Sequence, residues 1–120
     1  MSRKWDRRLL GLWRSDRART LRYFKPRASC SPETFRKFKA IFGKLEIHWR
    51  RGRCHTSLDG QSATLVYEVV ASDALSVVVR YYDDLGGENR LQQINFDGDR
   101  YFITLGGGFC EFFRKIRTRP

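Results

Sequence analysis

Leu45-Glu46-Ile47-His48-Trp49-Arg50-Arg51-Gly52-Arg53-Cys54-His55-Thr56-Ser57-Leu58-Asp59-Gly60 sets the architecture of this chain. Leu45, Ile47 and Trp49 alternate with Glu46, His48 and Arg50, the period of two of a strand with one buried face. Arg51-Gly52 turns the chain, and Arg53 to Leu58 alternates again. Asp59-Gly60 then signals a tight hairpin, because both central positions of such a turn want positive φ. Two strands and two turns thus fit into 16 residues.

The same punctuation continues towards the C-terminus. Ala63 to Val70, Leu75 to Tyr82, Arg90 to Phe96, Arg100 to Leu105 and Phe109 to Ile116 read as strands. Turns fall near Ala71-Ser72-Asp73, Asp83 to Gly87, Asp97-Gly98 and Gly106-Gly107-Gly108. Links this short make successive strands antiparallel neighbours, and a long twisted meander closes on itself because closure removes its exposed edges.

Towards the N-terminus the period changes. Leu9-Leu10-Gly11-Leu12-Trp13 reads as a first short strand. Ser15-Asp16 offers a helix N-cap, since a short side-chain oxygen accepts from the free N–H groups of a first turn. Leu21 and Phe24 follow at helical spacing, until Pro26 disfavours helix at Lys25. Ser31-Pro32 opens a second helix, with Phe35, Phe38, Ile41 and Phe42 on one stripe and Gly43 as its stop. A phenylalanine stripe at this spacing is core far more often than ligand pocket. The expectation is a mainly β fold with a small α insertion at about 16–42. It is a single domain over 1–120, an up-and-down antiparallel β-barrel of about eight strands with two short helices after the first.

Gly11-Leu12-Trp13 resembles the Gly-x-Trp signature that opens the first strand of the lipocalins and fatty-acid-binding proteins, the calycins. The resemblance implies that Trp13 closes one end of the barrel beneath a basic residue of the last strand, matched here to Arg114. The two-helix insertion is similar to the helical lid of the fatty-acid-binding proteins. Their carboxylate-holding Arg-x-Tyr pair has no counterpart, because Arg100 and Tyr101 are adjacent. Ser15 also replaces the second glycine of the haem-binding barrels. The resemblance therefore implies a lipocalin-like fold and no particular ligand.

The charge is polarised. The chain of 120 residues carries a net +11; residues 1–53 hold 17 basic and 4 acidic side chains, and residues 54–109 hold 3 and 8. Such a field speeds encounters with anions without defining a site. Arg14, Arg17, Arg19, Arg22 and Lys25, with Tyr23 among them, are the candidates for gripping nucleic-acid phosphates. Their bland alternative is a solvated cationic surface. No RNA-recognition signature, helix-turn-helix spacing or zinc finger is present, and Gly106-Gly107-Gly108 lacks the Lys-Ser/Thr of a phosphate loop.

Metal and cofactor chemistry find little support. Cys30, Cys54 and Cys110 form no CxxC pair and read as reduced thiols. His48, Cys54 and His55 are the nearest approach to a soft-ligand cluster, but alternation puts both histidines on the face opposite Cys54. No metal and no cofactor is expected. No nucleophile elbow or Cys–His pair is evident either. Asp97 and Asp99 flank Gly98 as ordinary turn residues. Tyr67, Glu68, Arg80 and Gln93 are the polar candidates for a pocket inside the barrel.

The favoured expectation is non-catalytic binding of a small, partly apolar or anionic ligand, or of a partner, in the barrel or at its helical end. A nucleic-acid-associated protein is the alternative, and an enzyme with a site in the barrel comes third. No apolar run reaches the roughly 20 residues of a membrane helix. With no signal-peptide stretch, the expected location is cytoplasmic and no membrane partner is expected.

Overall fold

The computed structural model describes residues 4–23, 32–83, 87–105 and 109–116, with residues 23, 34, 35, 38, 39, 41, 83, 105 and 109 given by backbone alone. The strands are β1 (Gly11–Ser15), β2 (Glu46–Arg50), β3 (Arg53–Leu58), β4 (Gln61–Ser72), β5 (Ser76–Asp83), β6 (Glu88–Asp97), β7 (Arg100–Leu105) and β8 (Phe109–Ile116). Each pairs with the next, and β8 returns to β1, closing an eight-stranded antiparallel meander. Helices α1 (Arg17–Tyr23) and α2 (Pro32–Ile41) lie between β1 and β2 in sequence. Fold class and strand order match the reading of the sequence, and the closed barrel is compatible with a calycin-like fold.

Alternation places one face of every strand inside. Trp13, Ile47, Trp49, Cys54, Tyr67, Val77, Val79, Ile94, Tyr101 and Phe113 form the core, all less than a tenth exposed. Their polar tips are satisfied, as burial requires. Trp13 Nε1 donates to the Leu9 carbonyl at 2.8 Å, Trp49 Nε1 donates to Tyr101 Oη at 3.2 Å, and Tyr67 Oη donates to the Arg50 carbonyl. Tyr101 lies between Trp13 and Phe113, with ring centroids at 4.6 and 4.9 Å. Aromatic side chains therefore occupy the middle of the barrel.

Three details differ from the sequence reading. Leu9 and Leu10 are not in the first strand; their N–H groups donate to Asp6 and Arg7 carbonyls in a turn, and Leu9 is wholly buried ahead of β1. β4 runs past Val70 to Ser72 because a bulge between Val69 and Ala71 absorbs one residue and resets the alternation. The cation over Trp13 is Lys115, with Nζ 5.6 Å from the ring centroid, and not Arg114. Lys115 is the register partner of Trp13 and shares its face, whereas Arg114 pairs with Arg14 on the opposite one.

The glycine of Gly-x-Trp acquires a physical reason from this geometry. Gly11 has φ +131°, and a Cβ there would meet Lys115 Cε at 2.8 Å. The missing side chain leaves room for the lysine to cross towards the indole.

At the other end of β1 the expected cap forms. Asp16 Oδ1 accepts the Arg19 N–H at 3.1 Å, as an N-cap aspartate should. Ser15 turns inward and is buried. Helix α1 packs on the outer face of β8, where wholly buried Thr20 accepts the Phe112 N–H through Oγ1 at 2.9 Å. Phe42 is buried at the end of the predicted stripe; the side chains of Phe35, Phe38 and Ile41, together with Phe24, lie outside the described residues.

Candidate functional site

A cleft of about 820 Å³ lies on the outside of the barrel at its helical end. Its floor is an arginine row. Arg14 on β1 is the register partner of Arg114 on β8, and Arg114 is the register partner of Arg100 on β7. Three guanidinium groups thus stand side by side on adjacent strands, an arrangement that costs stability because like charges directly opposite repel. Arg17 at the start of α1 and Lys44 before β2 add two more cations to the lining.

Asp16 is the one carboxylate among the described residues of this lining. It accepts from Arg100 Nε at 3.0 Å. Burial pushes its pKa up, but the Arg19 N–H and the Arg100 guanidinium outweigh that, and the group is held below the ordinary aspartate value. Lys44 reaches Asp59 at 3.6 Å, and Arg14 Nε donates to the Gly43 carbonyl at 3.0 Å. Among the described residues, no carboxylate pairs with Arg14, Arg17 or Arg114. Among the described residues the lining holds five cations and one carboxylate, with Asp59 and Asp99 reaching Lys44 and Arg100 from outside it, so the cleft is net positive.

Behind the cleft sits a buried acid. Glu111 on β8 is 9% exposed, and Oε2 accepts from Ser15 Oγ at 2.9 Å. Ser15 Oγ in turn accepts from Gly43 N at 3.0 Å. Burial raises the Glu111 pKa, and the single Ser15 hydrogen bond only partly opposes it. Composition and spacing gave no hint of this acid; an isolated glutamate between Cys110 and Phe112 was the available signal.

The four pocket candidates do not all face the barrel interior. Tyr67 points inward and is 3% exposed, with burial pushing its phenol up to about 12. Glu68 and Arg80 are register partners bonded to each other on the outer face of β4 and β5. Gln93 is exposed on the same outer face, where its Nε2 donates to Asn95 Oδ1 at 3.1 Å. Adjacent residues of one strand face opposite ways, so Tyr67 and Glu68 could not share an interior. A smaller cleft of about 370 Å³ between β4 and β5 does touch Tyr67, Glu68 and Arg80 together.

The nucleic-acid candidates also divide. Arg14 and Arg17 line the large cleft. Arg19 is engaged by Asp97 at 2.9 Å and lies over the Phe112 ring at 5.2 Å; its buried Nε has no hydrogen-bond partner. Arg22 is exposed, while Lys25 and the Tyr23 side chain lie outside the described residues. Other cations of the basic N-terminal third are turned on the protein itself. Arg8 is held by Asp6 and the Phe96 ring, and Arg51 lies over Trp5 at 4.6 Å. Lys44, Arg100 and Arg114, which the sequence reading did not group with Arg14, complete the cationic cleft.

Of the thiols, Cys54 is buried and Cys110 half-buried, and Cys30 lies outside the described residues. Groups of three or more metal-ligating side chains are absent among the described residues. No described helix is long and apolar enough to cross a membrane. The fold and cleft define a small closed eight-stranded antiparallel β-barrel. Comparison with known proteins finds no matching family, no matching curated protein and no matching solved structure.

Proposed function

We propose that this calycin-like barrel is a non-catalytic binding protein for a small phosphate-bearing molecule, taken up in the cleft at its helical end. One observation supports the reading above all: Arg100, Arg114 and Arg14 share a register row, and two of the three have no carboxylate partner among the described residues. An oxyanion laid across the row converts cross-strand repulsion into charge-assisted hydrogen bonds, and the planar guanidinium fork suits phosphate geometry. The volume of about 820 Å³ falls within the range of small-molecule sites. The aromatic core favours this outer cleft over a ligand inside the barrel.

The test is calorimetric titration with inorganic pyrophosphate at about pH 8, on the wild-type chain and on Arg114→Gln. The expected result is saturable binding weakened about tenfold by the substitution, as losing one charge-assisted contact implies. No binding, or binding indifferent to Arg114, overturns the proposal. A short oligothymidylate serves as the second ligand. Binding far tighter than pyrophosphate, falling steeply with salt through counterion release, would transfer the site to nucleic acid.

A further inference from the structure

On the strands next to β1 the sheet carries a second concentration of positive and protonatable groups. On the outer face of β2 and β3, His48 is the register partner of His55, and one row along Arg50 is the register partner of Arg53. Thr64 on β4 pairs with His55. These five side chains line a hollow of about 320 Å³ with no carboxylate among them. Two like pairs in adjacent rows are not explained by the core, since all four side chains face away from it; the interior of the same hairpin is built from Ile47, Trp49 and Cys54.

We infer that the His48–His55 and Arg50–Arg53 pairs form a second oxyanion site, for a phosphate or sulfate group, that fills as the two imidazoles take up protons. Arg50 and Arg53 supply fixed charge at every physiological pH. His48 and His55 are the side chains of this hollow whose charge can change with pH. His55 Nδ1 lies 2.9 Å from Thr64 Oγ1, a contact that orients the ring. The surroundings of the imidazoles among the described residues are known. Leu12 on β1 is the register partner of His48, with Arg14 two residues further along the same face. Glu46 and Arg50 flank His48 along β2, Arg53 flanks His55 along β3, and Thr64 and Val66 face them from β4. Anion binding and proton uptake are linked, each strengthening the other.

Sulfate is the probe, because it stays a dianion across the range and any pH dependence then belongs to the protein. The imidazole C–H signals of the full chain are followed by NMR during sulfate titrations at about pH 5.5 and pH 7.5. The expected result is that both histidine signals move, with affinity at least tenfold higher at the lower pH. Sulfate should also raise the midpoint of both imidazole titrations. Arg14→Gln/Arg114→Gln should leave these shifts intact, separating this site from the cleft at the helical end. Arg53→Gln should weaken them. Imidazole signals that ignore sulfate, equal affinity at both pH values, or shifts lost with the Arg14/Arg114 pair would each overturn the inference.

Discussion

Ser15 Oγ on β1 donates a 2.9 Å hydrogen bond to Glu111 Oε2 on β8, and this bond links the two strands that close the barrel. Because the same oxygen accepts from Gly43 N, one hydroxyl joins the barrel seam to the chain segment leading into β2. Burial pushes the pKa of this carboxyl above the ordinary glutamate value, and the Ser15 hydrogen bond opposes that shift.

The sign of the resulting pH dependence follows from linkage. With its folded pKa above the unfolded 4.5, Glu111 contributes stability that is complete below that value and lost as pH rises through the folded value. Glu111→Gln keeps an acceptor for Ser15 and cannot ionise. The variant should exceed wild type by about 1 kcal/mol near pH 8, roughly 4 °C in melting temperature, with the difference vanishing near pH 4. Thermal melts at the two pH values measure this, and equal gains at both would be inconsistent with a titrating Glu111.

Asp16→Asn separates the two duties of Asp16. Asparagine caps a helix about as well as aspartate, so the α1 cap survives. The cleft loses its one anion, and pyrophosphate affinity at pH 8 should rise several-fold. The Asp16 pKa is lowered in the folded state, so its contribution to stability is present above 3.8 and is lost as pH falls through the folded value. The variant should therefore show a weaker acid loss of stability than wild type. Calorimetry with pyrophosphate and an acid unfolding series are the two readouts.

Gly11→Ala should destabilise the barrel by about 1–3 kcal/mol, because φ +131° strains any L side chain. Displacement of Lys115 accounts for little of this, since an exposed cation–π contact is worth about 0.5–1 kcal/mol. Lys115→Ala is the control: it should cost less than Gly11→Ala in urea unfolding while shifting the same Trp13 fluorescence.

Cys54 should resist thiol reagents in the native state. Burial pushes its thiol up to about 12, so thiolate is scarce at neutral pH and the sulfur is covered. Peptide mapping after timed alkylation should find Cys110 modified ahead of Cys54, and Cys54 only at the rate of global unfolding. Early modification of Cys54 would show that the β2–β3–β4 sheet opens locally.

Most of the fold was legible because period two and the glycine turns coincide from Leu45 onward. What escaped has a specific cause at the barrel seam. Phe112 and Phe113 are both buried, Phe113 inside the barrel and Phe112 outside against α1 and the Arg19 guanidinium. With both parities apolar, β8 gave no clue that Lys115 faces Trp13 and Arg114 faces the cleft. The same blindness hid the arginine row. Arg14, Arg100 and Arg114 are neighbours through the register of closure, which depends on the whole ring of strands. Val66, Leu91 and Tyr82 mislead in the same way, being apolar yet exposed on the outer face of β4, β6 and β5.

The closing pair β1–β8 also bears on how the molecule is made. A ribosome releases the segment containing Arg14 before the segment containing Arg114, since β1 begins at Gly11 and β8 ends at Ile116. Until β8 emerges, β1 is an unpaired edge, the Ser15 hydroxyl has no Glu111 to meet, and the arginine row does not exist. A nascent or truncated polypeptide without β8 therefore lacks the shared register of Arg14, Arg114 and Arg100, and the cleft is assembled only when the barrel closes.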